Sequence, residues 1–157
     1  MEVKNDHAVR EARKIANAGT GIMLLKNGKV LLGKRHDDPE KADSALSGEG
    51  TWTFPGGKLD YGLTPEENVC KELEEETGLK AKPSDCKLFS VTNDIGPKAH
   101  FITLGFLCRK WKGEVKVMEP DEITKWDWFP ISKLPKPLFP PCAKMLKNYK
   151  AGKVYRY

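Results

Sequence analysis

At 157 residues with a formal net charge of +5 at pH 7, the chain has the length of one domain, enough for a sheet with helices packed on it. No run approaches membrane-spanning length and the amino terminus, MEVKNDHAVREARK, has no apolar core for a signal peptide, so the expectation is a cytoplasmic protein away from membranes. Its four cysteines, Cys70, Cys86, Cys108 and Cys142, are far apart, with no CxxC pair and no histidine close by to complete a zinc site, and they read as reduced, mostly buried thiols. The positive charge would favour capture of a polyanion, or serve solubility alone.

In chain order, residues 8–17 are a weakly amphipathic lead-in helix. Thr20 to Lys26 and Val30 to Arg35 are apolar β-type runs joined at Asn27-Gly28, a strong hairpin turn. Asp37 to Gly50 is polar and reads as a mobile loop, and Trp52 to Phe54 as a short strand. A glycine turn at Gly56-Gly57 then leads to a helix: Thr64 is its cap, Pro65 its first residue, Glu67 completes a capping box, and Gly78 ends it. Cys86 to Asn93 and Phe101 to Arg109 are two strands connected through Gly96-Pro97. Glu114 to Met118 and Ile123 to Phe129 are two further short strands, and Pro141 to Tyr149 is a C-terminal helix. The fold class is α+β, a mixed sheet interleaved with helices.

The chemistry concentrates on the first well-capped helix. Glu72 and Glu76 are spaced i, i+4, with Glu75 at i+3 from Glu72, so three carboxylates share adjacent parts of one helical surface. Charges that close repel one another, and a hard divalent cation relieves the repulsion; magnesium suits the oxygen ligands and shares its shell with substrate phosphates. A Glu-rich helix taken alone is more often a solvated face than a metal site.

The whole arrangement resembles the Nudix box, in which Gly, five residues, Glu and seven residues precede Arg-Glu-aliphatic-any-Glu-Glu-any-Gly-aliphatic. Gly57, Glu72, Leu73, Glu75, Glu76, Gly78 and Leu79 match in register. Leu63 stands where the first Glu is usual and Lys71 where Arg is usual. Lys71 keeps the charge but not the planar fork that braces the metal-binding glutamates in the family, although its i, i+4 relation to Glu75 permits a looser pair. Asp60 and Glu67 are nearby carboxylates that could compensate for Leu63.

The resemblance covers about residues 18–150 and implies an α/β/α sandwich with a central mixed sheet, in a single Nudix domain spanning 1–157. It implies hydrolysis of a phosphoanhydride in a nucleoside diphosphate-linked substrate, with magnesium (manganese able to take its place) held by Glu72, Glu75 and Glu76 and by the carbonyl of Gly56. Glu122, in the segment EPDEITKWDWF, occupies the place of a loop glutamate that reaches the metal cluster, and it competes with Glu72 for the role of general base. Arg35 is the candidate phosphate contact or a solvent-facing strand end; Lys58 is a second candidate phosphate contact or a surface lysine. Asn93 either hydrogen-bonds a base edge or caps a turn with Asp94. Trp126 and Trp128 alternate on a strand and read as packing residues.

The chain looks most like the MutT-type nucleoside triphosphate pyrophosphatases, which release a nucleoside monophosphate and pyrophosphate. ADP-ribose, nucleotide sugars, dinucleoside polyphosphates and capped RNA ends are the alternative substrates. The expected partner is the nucleotide, with no stable nucleic-acid partner and homodimerisation left open. A different class of reading is a catalytically weak nucleotide- or RNA-binding module, motivated by Leu63 and Lys71, or an acidic helix that only docks proteins.

Overall fold

The computed structural model describes residues 14–42 and 46–157. Its backbone is one seven-stranded sheet built from β1 (Ala16–Lys26), β2 (Lys29–Arg35), β3 (Trp52–Thr53), β4 (Gly56–Lys58), β5 (Cys86–Ile95), β6 (His100–Cys108) and β7 (Ile123–Pro130), with α1 (Pro65–Thr77) and α2 (Pro140–Ala151) outside it. β1 is the hub. It pairs parallel with β6 along Ala16–Leu24, turns antiparallel into β2 through Asn27-Gly28, and pairs antiparallel with β4 at its other end. β2 in turn carries β3 and β7, and β6 carries β5, so parallel and antiparallel ladders meet in one sheet.

Side-chain alternation along the strands divides the core in two. Ile22 and Leu24 of β1 and Leu31 of β2 join Phe106 under Val69 and Leu73 of α1 and Leu79 just beyond it. Met23, Leu25, Val30 and Leu32 face the opposite way and pack with Trp52, Phe54 and Cys142, Met145 and Leu146 of α2. A helix therefore covers each face of the mixed sheet, giving the α/β/α sandwich.

Local signals set α1 as expected. The Thr64 hydroxyl accepts the Glu67 N–H at 3.1 Å, Pro65 opens the helix, and Gly78 closes it in the left-handed region at φ 77°. Three other expectations are corrected. Residues 8–13 of the expected lead-in helix lie outside the described residues, and Ala16 and Asn17 belong instead to β1, held by pairing with His100 and Phe101. Glu114 to Met118 is not a strand: Gly113 turns the chain at φ 98°, and the Lys116 N–H bonds the Thr77 carbonyl at 2.8 Å, so the segment covers the end of α1. Gly56-Gly57 is not a turn but part of β4, paired Gly21 to Gly56 and Thr20 to Gly57. Trp126 and Trp128 do pack against the α1-side core, and Trp128 stacks on Trp111 at 5.5 Å. The cysteines are free; Cys70 is half-buried and the other three are buried.

Candidate active site

The end of β1 that pairs with β4 opens into a cavity of about 540 Å³, lined by Thr20, Gly56, Gly57, Lys58, Glu72 and Glu76 from the β1, β4 and α1 layers. Arg35 reaches it from β2, Glu119 and Glu122 from the connection before β7, and Phe101, Phe139 and Met145 form apolar wall. A side chain at either glycine of β4 would crowd its neighbours. An added Cβ at Gly56 would lie 2.1 Å from the Thr20 carbonyl oxygen, and one at Gly57 would lie 2.7 Å from Cδ of Glu72. The backbone of β4 thus runs directly beneath the carboxylate of α1.

A buried amide fixes that spacing. Asn68, on the first turn of α1, is 0% exposed; its Nδ2 donates to the Thr20 hydroxyl at 2.8 Å and to the Lys58 carbonyl at 3.1 Å, while its Oδ1 accepts the Asp60 N–H at 3.0 Å. One side chain therefore ties α1 to β1, to the end of β4 and to the loop after it. Sequence reasoning missed it. The available signal was an amide inside the helix beside the core residue Val69, a place where a polar side chain needs buried partners.

The carboxylates crowd one another. Burial pushes the Glu76 carboxyl well above the usual range, the neighbouring Glu72 charge adds to the effect, and the Gly56 N–H opposes it, donating to Glu76 Oε2 at 3.3 Å. Glu72 is raised chiefly by burial, with Lys71 opposing. Glu119 rises to about 7 through burial and a hydrogen bond with Glu122, reinforced by the charges of Glu122, Glu72 and Glu75. Glu119 is a second residue that sequence reasoning passed over in favour of Glu122, and its i, i+3 spacing from Glu122 was the signal.

Of the expected site residues, Glu72, Glu76, Glu122, Gly56, Gly57, Lys58 and Arg35 come together at the cavity. Glu75 does not line it; its exposed carboxylate lies 3.4 Å from Lys71 Nζ. Lys71 is 2.6 Å from Asp60 and 3.7 Å from Glu72, so its main partner is Asp60 rather than Glu75, and that hydrogen bond raises its pKa. Arg35 donates from Nε to the Gly48 carbonyl and from Nη2 to that of Ala42, and its guanidinium sits over the Phe139 ring. The turn reading of Asn93 is corrected. The residue lies inside β5, outside the cavity lining, with its side chain hydrogen-bonded to His100 Nε2.

Among the described residues, no three Asp, Glu, His or Cys side chains are gathered closely enough to chelate an ion as they stand. The donor chemistry nonetheless fits a hard cation. Glu72, Glu76, Glu119 and Glu122 offer only oxygen and share one cavity, and burial, with the charges of neighbouring carboxylates adding to it, raises Glu72, Glu76 and Glu119, an environment that a divalent ion would relieve.

Carboxylates backed by glycines, sharing one cavity of an α/β/α sandwich with an arginine and a lysine, suit an enzyme for phosphate-bearing substrates. The NUDIX domain model matches residues 16–149, and the chain belongs to the Nudix family. It is a MutT-like hydrolase acting on phosphoanhydride bonds, in a family that works with a divalent metal. Over 127 residues it is 33% identical to an ADP-ribose pyrophosphatase of Methanocaldococcus jannaschii, covering 81% of this chain and 69% of that one. It is 31% identical over 103 residues to an 8-oxo-dGTP diphosphatase of Proteus vulgaris, covering 66% and 84%. The crystal structure of a MutT Nudix hydrolase from Burkholderia pseudomallei superposes with a TM-score of 0.76 at 31% identity, covering 86% of this chain and 98% of that one. No helix of the described residues is long and apolar enough to cross a membrane.

Proposed function

We propose that this Nudix hydrolase is a magnesium-dependent nucleoside triphosphate pyrophosphatase of the cytoplasm, releasing a nucleoside monophosphate and pyrophosphate from a single domain. The observation that carries the reading is the cavity in which Glu72, Glu76, Glu119 and Glu122 stand with Arg35 and Lys58. Glu72 and Glu76, with Glu75 and the Gly56 backbone close by, would hold magnesium, and manganese can take its place. Bound there, the ion neutralises phosphate oxygens and makes an attacking water more acidic. Asn68 and the two glycines of β4 keep Glu72 at a fixed depth. Arg35 and Lys58 bind the phosphate chain and offset charge developing on the leaving group. The Glu119–Glu122 pair, with Glu119 shifted to about 7, is suited to accept the proton of the attacking water at neutral pH; Glu72 is the competing acceptor.

The experiment is a panel of nucleotides incubated with magnesium in isotopically labelled water. Label in the nucleoside monophosphate supports attack at the nucleoside-proximal phosphorus, and label confined to pyrophosphate refutes it. Glu76→Gln should nearly abolish turnover while the melting curve keeps a folded baseline; full turnover by that variant, or in chelator, removes the metal assignment. A second reading, hydrolysis of ADP-ribose, is favoured by the similarity to the Methanocaldococcus jannaschii pyrophosphatase, and activity confined to ADP-ribose would select it.

A further inference from the structure

In the core that α1 covers, three cysteines come together. Cys70 of α1 and Cys86 at the start of β5 have their Sγ atoms 3.6 Å apart, and Cys86 lies directly opposite Cys108 in the β5–β6 ladder, where the Cys108 thiol donates to the Lys110 carbonyl. Cys70 is the half-buried member and the other two are buried, so the row runs from the surface inward. Cys142 belongs to the other core and takes no part.

We propose that Cys70 and Cys86 form an oxidation site, at which hydrogen peroxide converts the two thiols into a disulfide that joins α1 to β5. The sulfur contact is close to van der Waals separation, so a change of side-chain rotamer rather than a movement of elements brings the atoms to bonding distance. In the first step the Cys70 sulfur takes one peroxide oxygen: the S–O bond forms, the O–O bond breaks, and water leaves. In the second, the Cys86 sulfur attacks the Cys70 sulfur, the S–O bond breaks, and a second water departs. Two thiols give up two electrons and the peroxide is reduced to two waters. The Cys86 proton leaves with the displaced hydroxide as that second water. The cross-link would close a segment with a sequence separation of 16 residues and pin α1 at the residue before Lys71.

The test treats the reduced full chain with hydrogen peroxide, quenches with an alkylating reagent and maps the thiols by peptide mass. The expected product is one intramolecular disulfide between the Cys70 and Cys86 peptides, with Cys108 and Cys142 alkylated, reversed by dithiothreitol. Its melting temperature should rise by roughly 5–10 °C, as expected for closing a loop of this length in a domain of this size. Cys70→Ser and Cys86→Ser should each abolish the cross-link, and Cys108→Ser should leave the pairing unchanged. Oxidation of Cys70 that runs on to the sulfinic acid, a Cys86–Cys108 pairing, or a cross-link that leaves the melting temperature unchanged would overturn the proposal. Should one serine variant fail to fold, the mapped pairing in the unaltered chain still decides the matter.

Discussion

Replacing Gly57 by alanine places a methyl carbon 2.7 Å from Cδ of Glu72 and 2.8 and 2.9 Å from its two carboxylate oxygens. Ordinary carbon contacts lie near 3.5–4.0 Å, so the carboxylate must retreat by about 1 Å. The obstacle is the far end of a flexible side chain, and Gly57 is not among the residues at positive φ. The stability cost is therefore limited to an off-rotamer glutamate of about 0.5–1.5 kcal/mol, partly offset by the lower chain entropy of alanine. Catalysis has no such relief. A displacement of about 1 Å at a positioning group costs on the order of 100-fold in rate, about 2.7 kcal/mol of barrier. Gly57→Ala should thus keep a near-normal urea midpoint and lose about two orders of magnitude in kcat. Gly56→Ala is the contrast: its Cβ would meet the Thr20 carbonyl oxygen at 2.1 Å and the Gly21 Cα at 2.9 Å. With backbone on both sides nothing yields cheaply, and the loss should be at least about 3 kcal/mol of stability. Paired urea titrations and steady-state kinetics on the two variants make the comparison. A Gly57→Ala enzyme with full kcat would refute the claim that the depth of Glu72 matters.

Asn68→Ala should destabilise by about 3 kcal/mol, at roughly 1 kcal/mol for each of its three hydrogen bonds; a urea-derived loss under about 1 kcal/mol would show that water replaces the amide. Lys71→Arg should raise turnover or metal affinity a few-fold, because a guanidinium can hold Asp60 with two parallel bonds where the ammonium now makes one at 2.6 Å; unchanged or lower activity would show surroundings adapted to lysine. For the metal-free protein, Glu119 at about 7 is protonated in the folded state at pH values where the unfolded carboxyl is already ionised. The folded state then binds more protons, so stability should fall as pH rises from about 4.5 to about 7 and level off above. Melting curves across that range check the sign, and a flat or rising profile would contradict the crowding of the carboxylates.

α1 was legible because its instructions are local: a hydroxyl cap, a proline and a glycine at fixed offsets, with glutamate spacing that follows from helical periodicity alone. β4 was not. Three residues, Gly-Gly-Lys, carry no alternation, and their strand character comes from lying against Gly21 and Thr20, distant in sequence. Glu114 to Met118 misled in the opposite direction, since its alternating Val115 and Val117 match a strand but the backbone bonds it would use go to the end of α1. The site divides along the same line. Glu72 and Glu76 could be read from the helix, whereas Asn68 and Glu119 acquire their roles only once β1, β4 and the connection to β7 converge. Asn93 was misread because its partner, His100, is brought across by the β5–β6 hairpin.

β1 has a consequence for how such a chain can drift. Ile22 and Leu24 belong to one core, Met23 and Leu25 to the other, and Gly21 is in register with Gly56 three residues before the strand reaches Leu24. Point substitutions that conserve volume can be absorbed on either face. A single-residue insertion or deletion between Gly21 and Leu25 cannot, since it would exchange the two cores' side chains and slide the glycines apart in the same stroke. Length variation among relatives should therefore be excluded from this strand and collect in connections between the paired strands.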